Sequence, residues 1–325
     1  MKVSICIPTY NQDRYIEMAI RSAVAQTVSP FEIIVSNDLS TDGSREILDK
    51  LEREILNLRV IHQPINLGIA KNVDFCLRQA SGDFIIRLDS DDNLAPLYTE
   101  TLIEQMKLFP NAGYAHTAVQ EIDQDNNPTR IRRLARKSGF QNADEALKLA
   151  VNGYRVSANI LMFRRAALKK VNYITTNVNF AEDYFMVSAI SAAGYGNVYV
   201  SDVLCNYRAW VDKNKIRTKR KDVEIKGLIQ VFDIILAPAF KERNWDMSPI
   251  EKSRVTNARN HASCLGWDIY SDSEKIELTK LIFQLAGTKA PSFHVWAYTN
   301  GFGFLFMYGK SINYFKSFIK KYLYK

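Results

Sequence analysis

Residues 87–92 read RLDSDD and follow the apolar run Phe84-Ile85-Ile86, so three aspartates fall within four positions at the end of a predicted strand. Carboxylates this close repel one another and cost stability unless a positive group sits among them. Hard oxygen donors at that density suit Mg²⁺ or Mn²⁺, ions that keep their waters and share diphosphate oxygens. A nucleoside diphosphate is therefore the implied ligand. Plain helix capping competes with this, because short polar side chains satisfy free helix N–H groups well. One cap needs one side chain, and three aspartates exceed it. Asp92 is the candidate cap for the helix that follows, while Asp89 and Asp91, with Ser90 between them, alternate on the strand end and face the ligand.

Other polar groups stand at equivalent places. The first predicted strand ends in Pro8-Thr9-Tyr10-Asn11 and the second in Asn37-Asp38; the loop before the third helix carries Asn66, Gly68, Lys71 and Asn72. In open α/β sheets, ligands sit beyond the carboxyl ends of the strands, so these groups should converge on one acidic pocket with a single cation. No GxGxxG follows the first strand and no GxxxxGK[ST] occurs anywhere, which argues against a dinucleotide oxidoreductase and a P-loop NTPase.

The elements that must position these residues alternate. Val3–Ile7, Glu32–Val35, Arg59–His62 and Phe84–Leu88 read as strands; Arg14–Gln26, Ser44–Glu54 and Ile69–Gln79 read as helices between them. Strands apolar on both faces imply a mostly parallel sheet with helices on both sides. Beyond Pro96 the pattern predicts a helix over 97–109, a strand over 114–122, a turn over 123–128, a helix over 143–151, a strand over 157–163, helices over 165–170 and 182–193, and strand pieces over 198–200 and 204–207. From about residue 213 only helices are predicted, over 219–240, 249–270 and 273–285.

CIPTYNQ, EIIVSNDLSTDGS, NLGIAKN, RLDSDDNLAP and AEDYFMVSAISAAGY occur in this order, and the set resembles the family 2 glycosyltransferases. That resemblance covers roughly residues 1–210. It implies an α/β GT-A fold, inverting transfer of a sugar from a nucleoside diphosphate, and Mn²⁺ or Mg²⁺ as cofactor. On it, residues 1–212 form the transferase domain, with a nucleotide-binding half (1–92) and an acceptor half (93–212), and 213–325 form a helical C-terminal region. Thr9 and Tyr10 line the nucleobase and ribose, Asp38 hydrogen-bonds the base, and Lys71 stands where an arginine usually lies near the base and α-phosphate. Asp89-Ser90-Asp91 is similar to the DxD motif, with Asp91 the metal ligand and Asp89 on the ribose or on the metal through water. Asp183 matches the catalytic base and Glu182 a supporting or acceptor-binding carboxylate. Arg208, in Tyr207-Arg208, is a candidate diphosphate contact, with a surface arginine capping the sheet as the alternative.

Two positions depart from the family pattern. Asn37-Asp38-Leu39 stands where two acids and a glycine are usual, and lysine replaces arginine at 71, keeping the charge but losing the bidentate fork. The chemistry agrees with the resemblance. A leaving diphosphate needs its charge stabilised, and the acceptor hydroxyl needs a base. Asp183 opens a helix, where the dipole favours a carboxylate, although plain helix-terminus charge explains that pair by itself.

Four scattered cysteines read as buried free thiols in a reducing compartment, and the four histidines show no ligand spacing, which argues against zinc. His62 and His116 lie in strand patterns and read as structural. No apolar stretch resembles a signal or a membrane span, so a cytoplasmic protein is expected. The net charge of +8 concentrates in Lys213–Lys226 and in the tail, where aromatics alternate with Lys310, Lys316, Lys320, Lys321 and Lys325. Such a tail could lie on the inner face of a membrane as a peripheral contact, or pack on the catalytic domain. The Arg130-Ile131-Arg132-Arg133 run is either an anionic-acceptor contact or a solvated loop. Nucleic acid is not expected as a partner, because the acidic strand-end cluster repels phosphate backbones. The expected partners are a nucleoside-diphosphate sugar and a glycan or lipid-linked acceptor, in cell-surface polysaccharide synthesis. A non-catalytic sugar-nucleotide or polysaccharide-binding protein that keeps the fold is the alternative.

Overall fold

The structure, a computed structural model, describes residues 1–174, 180–210 and 218–306. The chain divides into two compact units: residues 1–211 with 233–239, and residues 212–232 with 240–325.

The first unit begins β1 (Val3–Thr9), α1 (Ile16–Val24), β2 (Glu32–Asn37), α2 (Ser44–Glu54), β3 (Leu58–His62), α3 (Ile69–Arg78) and β4 (Phe84–Arg87). It continues β5 (Asn93–Leu94), α4 (Tyr98–Leu108), β6 (Ala112–Ile122), β7 (Pro128–Arg132), β8 (Gly139–Gln141) and α5 (Ala143–Ala150). It closes with β9 (Leu161–Arg164), α6 (Arg165–Lys170), α7 (Glu182–Ala192) and β10 (Gly196–Arg208). One sheet runs β3-β2-β1-β4-β9-β6-β10-β5, with β7 beside β6 and β8 beside β10. β1 to β4 pair in parallel; β9 lies antiparallel between β4 and β6, and β10 runs parallel to β6. β1–β4, β6 and β10 thus share one direction, and their carboxyl ends lie at the same edge. The sheet is mixed, and its antiparallel members are the short strands of the second half.

Period-2 alternation feeds two cores. Val3, Ile5 and Ile7 pack with α1, α2 and α4 on one face, while Cys6, Ile34 and Ile85 pack with α3, α6 and α7 on the other. All four cysteines are buried and unbridged.

The sequence divides the last strand at polar Ser201-Asp202, whereas β10 runs through it as one strand. Register shifts between Val200 and Val203, and again before Cys205, absorb the break as bulges. The predicted arginine-rich loop is also a strand, β7. Arg130 and Arg132 both clasp the buried Glu121 carboxylate, with Arg130 Nη2 at 3.1 Å and Arg132 Nε at 2.9 Å from Oε1. They hold that acid below the usual carboxylate range, Arg130 most strongly.

The second unit holds helices α8 (Lys221–Gln230), α10 (Ser248–His261), α11 (Asp272–Ala286) and α12 (Ser292–Thr299), α9 (Ala237–Glu242) lying where the units divide. The helix predicted over 219–240 is interrupted by a π-helical turn, Val231–Leu236. Pro238 explains it: a proline ring collides with the carbonyl four residues back and removes one N–H, and a wider turn relieves both. In the basic cluster, Lys219, Lys221 and Lys226 pair with Glu274, Glu224 and Asp222. Lys213 and the tail lysines from Lys310 onward lie outside the described residues. Among the described residues, no helix is long and apolar enough to cross a membrane.

Candidate active site

β1 and β2 end in register, Thr9 opposite Asn37, and β4 flanks β1 on the other side. Thr9 is buried, and its Oγ1 has no hydrogen-bond partner. Pro8 precedes it and Tyr10 is exposed. Asn11 takes a left-handed backbone (φ 52°) and accepts the Thr41 N–H on its Oδ1 at 2.8 Å, closing the β1 and β2 loops on each other.

Asp38 is buried. Its Oδ1 accepts the Leu67 N–H at 2.6 Å and its Oδ2 the Gly68 N–H at 2.9 Å, while Asn66 Nδ2 donates to the Asp38 carbonyl at 3.0 Å. The carboxylate therefore shapes the 66–68 loop, with each oxygen keeping a second lone pair. Gly68 has φ 80°, a left-handed conformation that disfavours a side chain. One turn on, Lys71 is exposed and forms no ion pair with a described residue. Asn37 Nδ2 lies 3.0 Å from His62 Nδ1, and His62 Nε2 lies 2.9 Å from Asp49 Oδ1. An amide N–H can only donate, so His62 accepts at Nδ1 and donates from Nε2. The uncharged side chain at 37 is thus fixed by a histidine and an acid beneath it.

The acidic cluster divides differently from the sequence expectation. Asp89 Oδ1 accepts Arg87 Nε at 2.9 Å, and Ser90 is buried. Asp91 Oδ2 accepts the indole N–H of Trp210, and burial raises its pKa. Asp92 does not cap α4, whose first turn has no side-chain cap. It is 1 % exposed and accepts the Arg208 N–H at 2.7 Å on Oδ1, while Oδ2 is buried without a partner. Burial first, then Asp91 and Asp89, push it well above the usual range. A cap was the local solution; the actual partner lies on a strand more than a hundred residues away.

Arg208 also departs from expectation. It is buried, donating Nε to the Asp91 carbonyl at 2.9 Å, Nη1 to the Asp123 carbonyl and Nη2 to Asn126 Oδ1 at 2.7 Å. Its guanidinium stands 3.9 Å from the Tyr15 ring centroid. It braces the strand end rather than reaching out to a diphosphate.

Glu182 and Asp183 form the first turn of α7, behind Ala181 in a left-handed conformation (φ 59°). Asp183 Oδ1 accepts the Tyr184 N–H at 2.7 Å. Burial and then the Glu182 charge raise its pKa to about 7, against the opposing pull of Arg87. Arg87 is the residue that sequence reasoning passed over. Its side chain is 3 % exposed and bridges Asp89 at 2.9 Å to Glu182 Oε1 at 3.2 Å. It thereby ties the end of β4 to the start of α7 and brings Asp183 beside the strand-end acids. A charged residue inside the apolar run FIIRL was the available signal. Trp210 left none, because its partner is distant in sequence. His116 is buried between Tyr114 and Tyr199, both ring nitrogens unpartnered, and burial lowers its pKa to about 3, so it is neutral.

The glycosyl transferase family 2 model matches residues 4–171, just over half of the chain. The chain belongs to this family. The chondroitin synthase of Pasteurella multocida is 34% identical over 125 residues, 38% of this family 2 chain but only 13% of the synthase. S. aureus TarS 1-349 superposes with a TM-score of 0.69 at 16% identity, covering 95% of this chain and 92% of that one. The mannosyltransferase PcManGT of Pyrobaculum calidifontis, solved with GDP-Man and Mn²⁺, gives 0.54 at 18% identity, covering 91% and 87%. These likenesses establish the GT-A fold.

Among the described residues, no three His, Cys, Asp or Glu side chains converge as a metal cage. The donors present are carboxylate oxygens, and Mg²⁺ or Mn²⁺ needs only one or two of these when substrate phosphates and water complete its shell. The site therefore fits an ion that arrives with a diphosphate.

Proposed function

We propose that this family 2 chain is an inverting, metal-dependent glycosyltransferase that moves a sugar from a nucleoside diphosphate to a glycan or lipid-linked acceptor in cell-surface polysaccharide synthesis. The observation that carries this is the Arg87 bridge from Asp89 to Glu182, which sets the strand-end acids beside the neighbouring Asp183, whose pKa is raised to about 7. Base and ribose lie over Thr9, Tyr10 and the loop shaped by Asp38, with Asn11, Asn37, Asn66 and Gly68 around them. Lys71 supplies the exposed cation toward the phosphates. Asp91 and Asp89 would hold Mn²⁺ or Mg²⁺, which as a Lewis acid neutralises the leaving diphosphate. Asp183 accepts the proton of the acceptor hydroxyl as that oxygen attacks the anomeric carbon opposite the leaving group. A carboxylate with a pKa near the working pH suits that task. Glu182, pinned by Arg87, fixes the first turn of α7 and adds negative charge beside the base. Arg208 acts from behind, through Asp91 and Asp92. The first unit supplies all of these groups, with residues 1–212 as the transferase domain and 213–325 as the C-terminal region. A cytoplasmic enzyme meeting membrane-linked acceptors accommodates the basic C-terminal sequence.

The test is a thermal-shift panel of nucleoside diphosphates and nucleotide sugars, with and without Mn²⁺, on the wild type and Asp91→Asn. Metal-dependent stabilisation by one nucleotide, lost in the variant, is expected. Stabilisation that ignores metal and Asp91 points instead to a non-catalytic nucleotide-binding protein.

A further inference from the structure

The second unit carries an apolar face outside the proposed active site. Of the residues of α12, only Ala297 is buried. Phe293 is 56% exposed and Trp296 50%, and the turn after the helix adds Phe302 at 41%, Phe304 at 51% and Leu305 at 47%. Their rings cluster: Trp296 stacks on Phe302 at 5.2 Å and on Phe293 at 5.9 Å, and Phe304 follows Phe302 at 6.2 Å. Gly303 permits this, since a Cβ there would stand 2.5 Å from Tyr298 Cδ1 and push the turn off the helix. Single exposed apolar residues are ordinary, but five together mark an interaction surface.

Charge selects the partner. From Leu278 to Lys325 the sequence contains seven lysines and no aspartate or glutamate. A protein partner with an ordinary mixed surface does not call for so one-sided a segment. An anionic lipid surface does: aromatic rings settle at the headgroup level while lysines meet the lipid phosphates. We propose that the aromatic face built by α12 and residues 302–305 docks on an anionic membrane surface, inserting Phe293, Trp296 and Phe304 between headgroups. This places the contact within the described helical unit and does not depend on the transferase reading.

The experiment uses the full chain and vesicles of phosphatidylglycerol and phosphatidylcholine, or of phosphatidylcholine alone. The wild type should sediment with the anionic vesicles and bind neutral ones at least about tenfold more weakly. Phe293→Ser with Phe304→Ser should lower affinity for anionic vesicles by at least about tenfold, with an unchanged melting temperature as the control for folding. Lipids brominated near the headgroup should quench a tryptophan signal that Trp296→Phe removes. Equal sedimentation of wild type and double variant, or quenching indifferent to Trp296→Phe, overturns the proposal. So does a wild type that ignores anionic vesicles, or a dimer in light scattering that the double variant abolishes, which would assign the face to a second copy of the chain.

Discussion

Asp183 and Arg87 are the residues on which the chemistry turns. Because burial and the neighbouring Glu182 raise the Asp183 pKa to about 7, kcat/KM for transfer should rise with pH through about 7 and then level, as ionised base accumulates. The same shift acts on stability in the opposite direction. A carboxyl that binds its proton more tightly in the fold than in the unfolded chain stabilises the native state most below about pH 4, and that contribution is lost as pH climbs toward 7. Asp183→Asn should therefore melt higher than the wild type at pH 8 and show a smaller gap at pH 4, while kcat falls by roughly 10²–10⁴-fold. Melting curves at the two pH values, beside a transfer assay, check both. Arg87→Met leaves the buried Glu182 carboxylate unpaired and should cost about 3 kcal/mol in denaturant unfolding. It also removes a positive charge that lowers the Asp183 pKa, so the rising limb of its pH profile should move to higher pH.

At the scale of elements, α7 must lie close against the sheet for its first turn to reach the strand ends. Gly113 in β6 allows this, since a Cβ there would collide with Ile190 Cγ2 of α7 and stand 2.7 Å from Tyr195 Cβ. Gly113→Ala should cost about 1–3 kcal/mol in stability and lower kcat more than it changes donor affinity, measured by urea unfolding and nucleotide titration. Much of this layer was legible in the sequence. The bounds of α2 follow from period-3.6 patterning, and the first-half strands fall within two residues of their predicted ends, because both faces of the sheet are buried. The placement of the candidate residues was legible where they sit at strand ends in chain order, as at Thr9, Asp38 and Asp89. It was not legible where the deciding partner is distant. Asp92 resembles a cap until β10 brings the Arg208 N–H to it, and Arg208 resembles a free cation until Asp123, Asn126 and Tyr15 surround it. Bulges carry β10 across Ser201-Asp202, a break that alternation alone reads as an end.

For the whole molecule, the first unit places the carboxyl ends of its parallel strands and a carboxylate of raised pKa at the same end of one sheet, and the second carries an exposed aromatic face in a stretch whose sequence is rich in lysine. The family assignment rests on residues 4–171, and the chain matches only 13% of the chondroitin synthase's length, so its own donor and acceptor must be found by measurement. The most direct test incubates wild type and Asp183→Asn with the nucleotide sugar selected in the binding panel, Mn²⁺ and a candidate acceptor. Release of nucleoside diphosphate and formation of the glycosidic product are followed together. Acceptor-dependent release with inverted anomeric configuration by the wild type, and loss of both in Asp183→Asn while donor binding persists, is the expected result. Full transfer by Asp183→Asn, or no acceptor-dependent release by a wild type that binds the donor, would contradict it.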